Sequence, residues 1–374
     1  MRASRAGHRF HERWTARRAL QLIFPDDDLY AIAVEGLSTN ETADPGKEAE
    51  EIADLTLFFG QGDNFAACRA QQTLQFKYST KYEPVTSSYL KKTIEKFAAS
   101  LLGYKKKFGD EVNEKLSFSF VTNAKFSDQL WDAIRCLQEG KHPTGKAAQR
   151  QYSNLQKWCQ EKGADAKQLF ALMQFHASTL NLTAQNLKLH QTLATWSPGP
   201  DSQARARLHG LEELIWEKAG PRGQRDNLIK LEDVLDVLGC DSEDDLFPAE
   251  TEFVNVGAIV ERMALVEARQ KISGARKPFF IFADGGVGKT VFIQSLAQQM
   301  ADDYETVIFD CFGGGSYRSE DQSRHLPKIG LLQIVNELAS RGLCDPQLPS
   351  DGDEIALVKA ARKRLEQTAE AIRN

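Results

Sequence analysis

The spacing of apolar residues in the first third of the chain predicts an α/β domain built on a mixed sheet. Apolar positions recur at helical intervals over residues 9–23 and 86–102. Short runs rich in aromatic and branched side chains predict strands at residues 29–34, 54–60, 72–78 and 116–121. The predicted order is therefore helix, three strands, helix and strand.

The following region is mostly helical in its pattern. Helices are predicted at residues 128–138, 147–161, 166–173, 184–194, 203–218 and 231–238. The segment 175–182 is compatible with one more strand. Residues 241–252 carry six acidic side chains together with Pro248, which is typical of a linker. We therefore assign residues 1–240 to a first domain, 241–255 to an acidic linker and 256–374 to a second domain.

A glycine-rich loop dominates the pattern of the second domain. Pro278–Phe282 is a short apolar run typical of a buried parallel strand, and helical spacing of apolar residues begins directly after Thr290. The loop between them, Ala283–Thr290, has the sequence Ala-Asp-Gly-Gly-Val-Gly-Lys-Thr. The other elements predicted here are a strand at 305–312 and helices at 256–272, 329–340 and 354–372.

Strand, glycine-rich turn and helix are the parts of a phosphate-binding loop. Glycines allow backbone N–H groups to curl around an anion at a helix N-terminus. Lys289 would contact the β- and γ-phosphates of ATP, and the Thr290 hydroxyl would bind Mg²⁺. An incidental glycine turn is the alternative. The predicted ATP-binding residues are Asp284, Gly285, Gly286, Val287, Gly288, Lys289 and Thr290.

The acidic partner of such a loop normally binds Mg²⁺ from the end of a later strand. Asp310 ends the apolar run that follows the first helix after the loop, so we interpret it as a second-strand residue and not as a Mg²⁺ ligand. No later apolar run ends in a pair of Asp residues. We therefore expect the N-terminal part of a P-loop NTPase domain, which would bind ATP weakly without turning it over.

Composition and charge narrow the class of protein. No apolar run approaches the ~18 residues of a membrane span, and the basic N-terminus lacks the apolar segment of a signal peptide. The six cysteines include no Cys-x-x-Cys pair, which argues against a disulfide framework or a zinc site and favours the cytoplasm. Although the net charge is −5, residues 1–23 hold six Arg and residues 77–107 hold eight Lys. These runs suit a phosphate-binding surface, and the alternative is a pair of solvated helix faces.

Polar residues converge where the predicted hairpin begins and ends. Antiparallel pairing brings Asp54 level with the neighbourhood of Lys77, and alternation along the strand places Gln75 on the same face as Lys77. Glu35 ends the preceding strand and could join them. Oxygens of Glu35, Asp54 and Gln75 would bind Mg²⁺, while Lys77 would orient and acidify the water that attacks a phosphodiester.

The order of these residues resembles the PD-(D/E)xK restriction-endonuclease superfamily. More closely, Val34-Glu-Gly, Asp54-Leu-Thr-Leu and Leu74-Gln-Phe-Lys-Tyr-Ser look like the DUF4297-type double-stranded DNA endonuclease domain of CD-NTase-associated antiviral effectors. The likeness continues in Leu231–Gly239 and Asp245–Pro248, and so spans about residues 8–248.

This resemblance implies that Asp54, Gln75 and Lys77 form the metal-and-lysine core and that Glu35 is the upstream acid. Gln75 stands where many members of the superfamily have Glu, and one negative charge fewer weakens the attraction for a metal ion. Glu12 on the first helix and Asp63 in the hairpin loop are additional candidates; each is otherwise an ordinary surface acid.

The phosphate-binding loop followed by Asp310-Cys-Phe-Gly-Gly-Gly resembles STAND NTPases of the NACHT and NB-ARC type. Behind a nuclease, this is the layout of antiviral STAND proteins, the prokaryotic relatives of NOD-like receptors. The resemblance implies a restriction-endonuclease-like mixed sheet flanked by helices, followed by the N-terminal part of a P-loop NTPase α/β domain. It also implies a cytoplasmic effector in a prokaryote.

In that layout an unidentified trigger, such as a phage protein, is recognised and ATP binding drives homo-oligomerisation. The clustered nuclease domains then cut double-stranded DNA with Mg²⁺. Two alternatives stay open at this point. One is a nucleotide-regulated scaffold whose nuclease fold only binds DNA, and the other is a nuclease attached to an ATP-driven translocase.

Overall fold

A computed structural model describes residues 2–24, 28–38, 54–80, 83–220, 223, 225–253, 263–275, 277–318, 323–349 and 354–373. The chain forms two compact units, Met1–Ala194 with Pro200–Gly239, and Thr195–Gly199 with Cys240–Asn374. Lys81 of the basic run and the first part of the helix predicted over 256–272 lie outside the described residues. Across the described ranges, no helix is long and apolar enough to cross a membrane.

The first unit is built around a mixed six-stranded sheet. Its strands are Leu29–Val34 (β1), Leu55–Phe59 (β2), Ala70–Lys77 (β3), Leu116–Thr122 (β4), Met173–His176 (β5) and Leu228–Ile229 (β6). They lie in the order β5-β4-β3-β2-β1-β6. β1, β2 and β3 form an antiparallel meander, and β6 adds antiparallel to β1. β4 and β5 continue the sheet in parallel from β3, which makes it mixed.

Helices flank this sheet. Those that lie wholly or mostly in the first unit are Arg2–Ala19 (α1), Lys91–Phe108 (α2), Val112–Lys115 (α3), Asp128–Glu139 (α4), Lys146–Glu161 (α5), Ala166–Ala171 (α6), Leu182–Trp196 (α7), Asp201–Ala219 (α8) and Leu231–Leu238 (α9). The Ser127 side chain accepts from the backbone N–H of Leu130 and so caps α4, and Gly140 ends that helix in the left-handed conformation. Local sequence signals thus set these helix boundaries.

Aromatic side chains fill the core on both faces of the sheet. On one face Phe118 of β4 stacks on Phe97 of α2, with ring centroids 4.7 Å apart. On the other face Phe76 of β3 packs against Phe10 and Trp14 of α1. Because side chains alternate along a strand, the neighbours of Phe76 in β3 point toward the face that carries α2.

The predicted class, an α/β fold with a mixed sheet flanked by helices, is confirmed for this unit. A strand is present where one was predicted at 175–182, but the predicted bounds are wrong: β5 is Met173–His176, and α7 begins at Leu182. Pairing with the preceding strand decides the position, since Met173 lies opposite Phe118 and His176 opposite Val121. The residue pattern of the segment does not show which residues pair with the neighbouring strand.

The register of the hairpin formed by β2 and β3 also differs from the predicted one. Phe59 lies opposite Ala70 and Leu55 opposite Leu74. This pairing brings Asp54 level with Gln75 and not with Lys77. The hairpin loop sets the register, and its length in paired residues is not visible in the sequence.

The second unit is helical where secondary structure is assigned. Its helices are Met263–Ile272 (α10), Lys289–Met300 (α11), Pro327–Ser340 (α12) and Glu354–Arg373 (α13). Leu265 and Ala268 of α10 pack against Leu296 and Met300 of α11 in a small buried cluster.

The strands predicted at 278–282 and 305–312 are both wrong, because neither segment pairs with a strand among the described residues. Phe280 and Phe282 are 73% and 89% exposed. In the second segment the carbonyl oxygens accept from side chains: Thr306 from Arg341 at 2.8 Å, and Ile308 from Thr251 at 3.0 Å. An apolar run becomes a strand only when a neighbouring strand supplies the ladder hydrogen bonds.

A glycine pair tests the geometry of the hairpin. Gly60 follows β2 with φ 89°, and a Cβ there would lie 2.7 Å from the Cβ of Arg69. We expect Gly60→Ala to lower the free energy of unfolding by about 1–3 kcal/mol because it combines left-handed backbone strain with a close contact.

The matched control is Gly103 in α2, where a Cβ would meet no atom within 4 Å. Gly103→Ala should raise the free energy of unfolding by about 0.5–1 kcal/mol, since alanine loses less backbone entropy in a helix. Urea denaturation followed by tryptophan fluorescence measures both changes. Equal stability of Gly60→Ala and the parent would contradict the described hairpin.

Candidate active site

Three polar residues lie side by side at one edge of the meander. Glu35 follows β1, Asp54 precedes β2, and Gln75 lies in β3. The Glu35 backbone N–H donates to the Asp54 carbonyl at 3.0 Å, and the Asp54 N–H donates to the Leu74 carbonyl at 3.0 Å. The ladder therefore continues past the strand ends and fixes the spacing of the three residues.

Glu35 has an unusual backbone conformation. Its φ of 52° lies in the left-handed region, which a residue with a side chain rarely adopts. The adjacent Gly36 has φ 125°, and its carbonyl accepts from the Thr56 hydroxyl at 2.8 Å. Tertiary contacts thus hold a strained turn next to Asp54, which is a pattern typical of functional sites.

Asp54 is held in place by two hydrogen bonds from β3. Its Oδ2 accepts from Gln75 Nε2 at 2.9 Å and from the Phe76 backbone N–H at 2.7 Å. Gln75 Oε1 is buried and has no hydrogen-bond partner among the residues that the structure describes. A buried acceptor without a donor costs free energy unless another group satisfies it.

The unsatisfied Gln75 Oε1 raises the question of whether these three side chains suit a divalent cation. Mg²⁺ binds oxygen ligands and commonly uses one or two carboxylates while keeping several waters. Glu35, Asp54 and Gln75 Oε1 supply two carboxylates and an amide oxygen, so the donor set fits Mg²⁺. Within the described ranges, no group of three His, Cys, Asp or Glu side chains is arranged to hold a metal. Binding here would therefore depend on the amide oxygen and on water.

The first helix presents ionisable groups to the same edge. Desolvation by burial raises the pKa of Glu35; the charge of His8 opposes this shift, and the carboxylates of Asp54 and Glu12 add to it. Burial lowers the pKa of His11, while Asp54 acts in the opposite direction and His8 in the same one. The His11 ring also packs on Phe76, with centroids 4.9 Å apart.

Glu12, a weaker candidate from the sequence, is thus close enough to act on Glu35. Sequence reasoning missed His8 and His11. Positions 8, 11 and 12 share one face of a helix, and that spacing is the signal that could have found them. Asp63 is the other weaker candidate. Its carboxylate forms an ion pair with Lys230, with Oδ2 and Nζ 3.2 Å apart.

Lys77 is the last residue of β3, and its ammonium contacts Tyr89. Nζ donates to the Tyr89 carbonyl at 2.5 Å and lies 4.3 Å from the centroid of the Tyr89 ring. Burial lowers the pKa of Lys77, and the charge of Lys92 lowers it further. Sequence reasoning missed this contact, because Tyr89 lies in a turn twelve residues later in the chain.

The basic runs contribute unevenly to the surface. Lys91 and Lys92 at the start of α2 are exposed, as are Lys106 and Lys107 at its end. Arg13 of α1, in contrast, is paired with Glu212 at 2.6 Å. Lys92 is exposed and close enough to Lys77 for its charge to lower the pKa of Lys77. A phosphate group in solvent can reach Lys92.

In the second unit, the glycine-rich loop is exposed and precedes α11 directly. Gly286 and Gly288 have φ 78° and 87°, which only glycine adopts without strain. Lys289 Nζ donates to the carbonyls of Ala283 and Asp284 at 2.8 and 2.7 Å, so its ammonium lies against its own loop. Thr290 follows in the first turn of α11 and is exposed.

Asp310 lies at the start of a glycine turn. Its Oδ1 accepts from the backbone N–H groups of Phe312 and Gly313 at 3.1 and 3.0 Å, and so caps the following glycine turn. Arg324 is buried and donates to the Asp310 carbonyl at 2.9 Å. One carboxylate oxygen is thus engaged with the backbone of a turn. The interpretation of Asp310 as a second-strand residue is wrong, because the segment before it pairs with no strand among the described residues.

Neither protein-family models nor curated proteins gave a match to the chain. Two similar solved structures are Cap4 SAVED/CARF-domain containing receptors, one from Acinetobacter baumannii with the cyclic trinucleotide 2′3′3′-cAAA and one from Moraxella osloensis. Each is 14% identical and covers 61% of this chain, with TM-scores of 0.33 and 0.31. The chain spans 43% and 46% of their lengths, and at these TM-scores the likeness carries no argument.

The pKa of Glu35 leads to a prediction about stability. A folded-state pKa above the unfolded value stabilises the fold below the unfolded pKa, and that contribution is lost as pH rises through the folded pKa. Glu35→Gln replaces the carboxyl by a group that does not ionise, and so removes this loss of stability at high pH. Without metal, we expect the variant to melt above the parent at about pH 8 and close to it at about pH 4.

Calorimetry across this pH range provides the measurement, and Glu83→Gln, at an exposed acid, is the control. If the melting temperature of Glu35→Gln equals that of the parent at every pH, the raised pKa of Glu35 in the folded state is contradicted.

Proposed function

We propose that the first unit is a Mg²⁺-dependent endonuclease that cuts double-stranded DNA, and that the second unit binds ATP and controls the cutting in an antiviral STAND protein. The alignment of Glu35, Asp54 and Gln75 across three adjacent strands carries the proposal. Chain order and spatial order agree at this edge, as the resemblance to the PD-(D/E)xK superfamily implies.

Each residue has a distinct part in the reaction. The carboxylates of Glu35 and Asp54, with Gln75 Oε1, would hold Mg²⁺; the hydrogen bonds to Asp54 fix that carboxylate in advance. Mg²⁺, when bound, supplies charge stabilisation to the phosphate. Lys77 donates hydrogen bonds to the attacking water or to a non-bridging phosphate oxygen, so that negative charge developing in the transition state meets a fixed cation.

The DNA would be bound through its phosphates. Lys92, exposed at the start of α2, is close enough to Lys77 for its charge to act on that residue's pKa, and phosphate contacts from such a lysine are independent of base sequence. Binding should therefore weaken steeply with salt.

The second unit would take ATP at Ala283–Thr290, within the N-terminal part of a P-loop NTPase fold. The left-handed Gly286 and Gly288 free backbone N–H groups for phosphate, and α11 adds the positive end of its dipole. ATP would displace Lys289 Nζ from the loop carbonyls. A trigger such as a phage protein and homo-oligomerisation in the prokaryotic cytoplasm complete the proposed control.

The nuclease assignment predicts the effect of removing the lysine. Plasmid cleavage with Mg²⁺ should fall by at least ~100-fold in Lys77→Ala and in Asp54→Ala, since each loses a group that acts in the chemical step. Lys188→Ala, at an exposed lysine of α7 outside the two basic runs, should cut like the parent.

Cleavage should be assayed on the activated protein. Equal cutting by Lys77→Ala and the parent would overturn the assignment. Unchanged DNA binding with no cleavage by the parent under any Mg²⁺ condition would favour the scaffold alternative.

The ATP assignment predicts a loss of nucleotide affinity. Lys289→Ala removes a charge-assisted contact to the phosphates and should weaken ATP binding by about 10–100-fold. Lys277→Ala, at an exposed lysine before the loop, is the control and should bind ATP normally. Calorimetric titration measures both, and equal affinities would contradict the loop assignment.

A further inference from the structure

We infer that Tyr89 is a positioning residue that holds the ammonium of Lys77 in place for the reaction without neutralising its charge. The inference rests on the proposed function and extends it to a residue outside the metal-and-lysine core. Tyr89 contacts Lys77 at both ends. Its carbonyl accepts from Lys77 Nζ, its ring lies beneath that ammonium, and its hydroxyl lies 3.3 Å from the Lys77 carbonyl.

The nature of these contacts matters as much as their number. A lysine ammonium has three N–H donors, and the Tyr89 carbonyl takes one of them. The ring attracts the cation through its face without accepting a proton or contributing a formal charge. Within the described part of the chain, no carboxylate lies within ion-pair distance of Lys77. The remaining donors and the whole positive charge are thus available to a phosphate oxygen.

Tyr89 can act as a platform because its own position is fixed. It lies in a short 3-10 turn, Ser87–Tyr89, directly before α2. The buried Ser87 anchors this turn: its N–H donates to Gln151 Oε1 at 2.8 Å, and its hydroxyl accepts from Asn154 at 3.3 Å. Both partners belong to α5. A movement of Tyr89 would therefore disturb the contacts between this turn and α5.

The ring itself is fixed from the sheet side. It packs edge-on against Phe120 of β4, with centroids 6.2 Å apart and an interplanar angle of 88°. The hydroxyl lies 3.3 Å from Thr122 Oγ1 in the same strand. Thr122 of β4 pairs with Lys77 of β3. The Tyr89 ring and the Lys77 backbone are therefore fixed by the same pair of strands.

A fixed platform has a use at this site because Lys92 repels Lys77. Two ammonium groups side by side tend to move apart, and a flexible lysine would spend time away from the phosphate. A cation–π contact of Tyr with Lys changes a rate by roughly 2- to 30-fold when the ring is removed. We expect about a tenfold effect here, because the backbone carbonyl remains as a second holder.

The test compares Tyr89 variants in the full chain. Tyr89→Phe keeps the ring and the carbonyl and should cut plasmid DNA like the parent. Tyr89→Leu should lower turnover about tenfold with little change in KM for DNA, since Lys77 is less well placed but the binding surface is intact. Fluorinated phenylalanines at position 89 keep the shape while withdrawing charge from the ring face, and should lower turnover stepwise even if Tyr89→Leu does not fold.

A second readout does not depend on cleavage. In protein labelled with ¹³Cε-lysine, the Lys77 methylene signal, assigned with Lys77→Arg, should lie upfield from ring-current shielding. It should stay upfield in Tyr89→Phe and move to the position of exposed lysines in Tyr89→Leu. An unshifted signal in the parent would overturn the inference.

The outcomes separate the two claims. Loss of cleavage in Lys77→Ala with full cleavage in Tyr89→Leu or in the fluorinated series would overturn the positioning role and leave the proposed function standing. Full cleavage by Lys77→Ala would overturn the proposed function itself. Equal loss in Tyr89→Phe and Tyr89→Leu would overturn the role of the ring face.

Discussion

The candidate site depends on the lateral register of three antiparallel strands. Two backbone hydrogen bonds beyond the strand ends, from Glu35 to Asp54 and from Asp54 to Leu74, set the three residues side by side. A shift of one position along β2 would turn Asp54 to the opposite face of the sheet. The chemistry at this edge therefore depends on backbone pairing more than on any single side-chain contact.

That register has an electrostatic consequence. Glu35 and Asp54 are brought together with Glu12 nearby, and the pKa of Glu35 rises because its charged form is poorly solvated and repelled. A divalent cation would reverse the effect, since it favours the charged carboxylates. The unsatisfied Gln75 Oε1 and the strained Glu35 backbone both raise the free energy of the folded state. A bound cation or substrate can offset that unfavourable free energy.

In the second unit, the loop has its local geometry although no strand is assigned among the described residues there. The glycines adopt the left-handed conformations that a phosphate-binding loop needs, and α11 begins directly at Lys289. Pro278–Phe282, in contrast, has no paired strand among the described residues and exposes its aromatic side chains. Loop geometry is set by residues close in sequence, whereas a parallel strand requires partners that are distant in sequence.

Local patterns in the sequence predicted most helices and strands of the first unit and the residue types of its site. Helical periodicity and capping residues placed α4 and α9, and alternation placed Gln75 and Lys77 on one face, because these signals act over a few residues. The alignment of Asp54 with Gln75 and the contact between Tyr89 and Lys77 became visible in the tertiary fold. It also placed His8 and His11 near the carboxylates and left two predicted strands unpaired. Each of these features depends on contacts between segments far apart in the chain, and no local pattern encodes which segments meet.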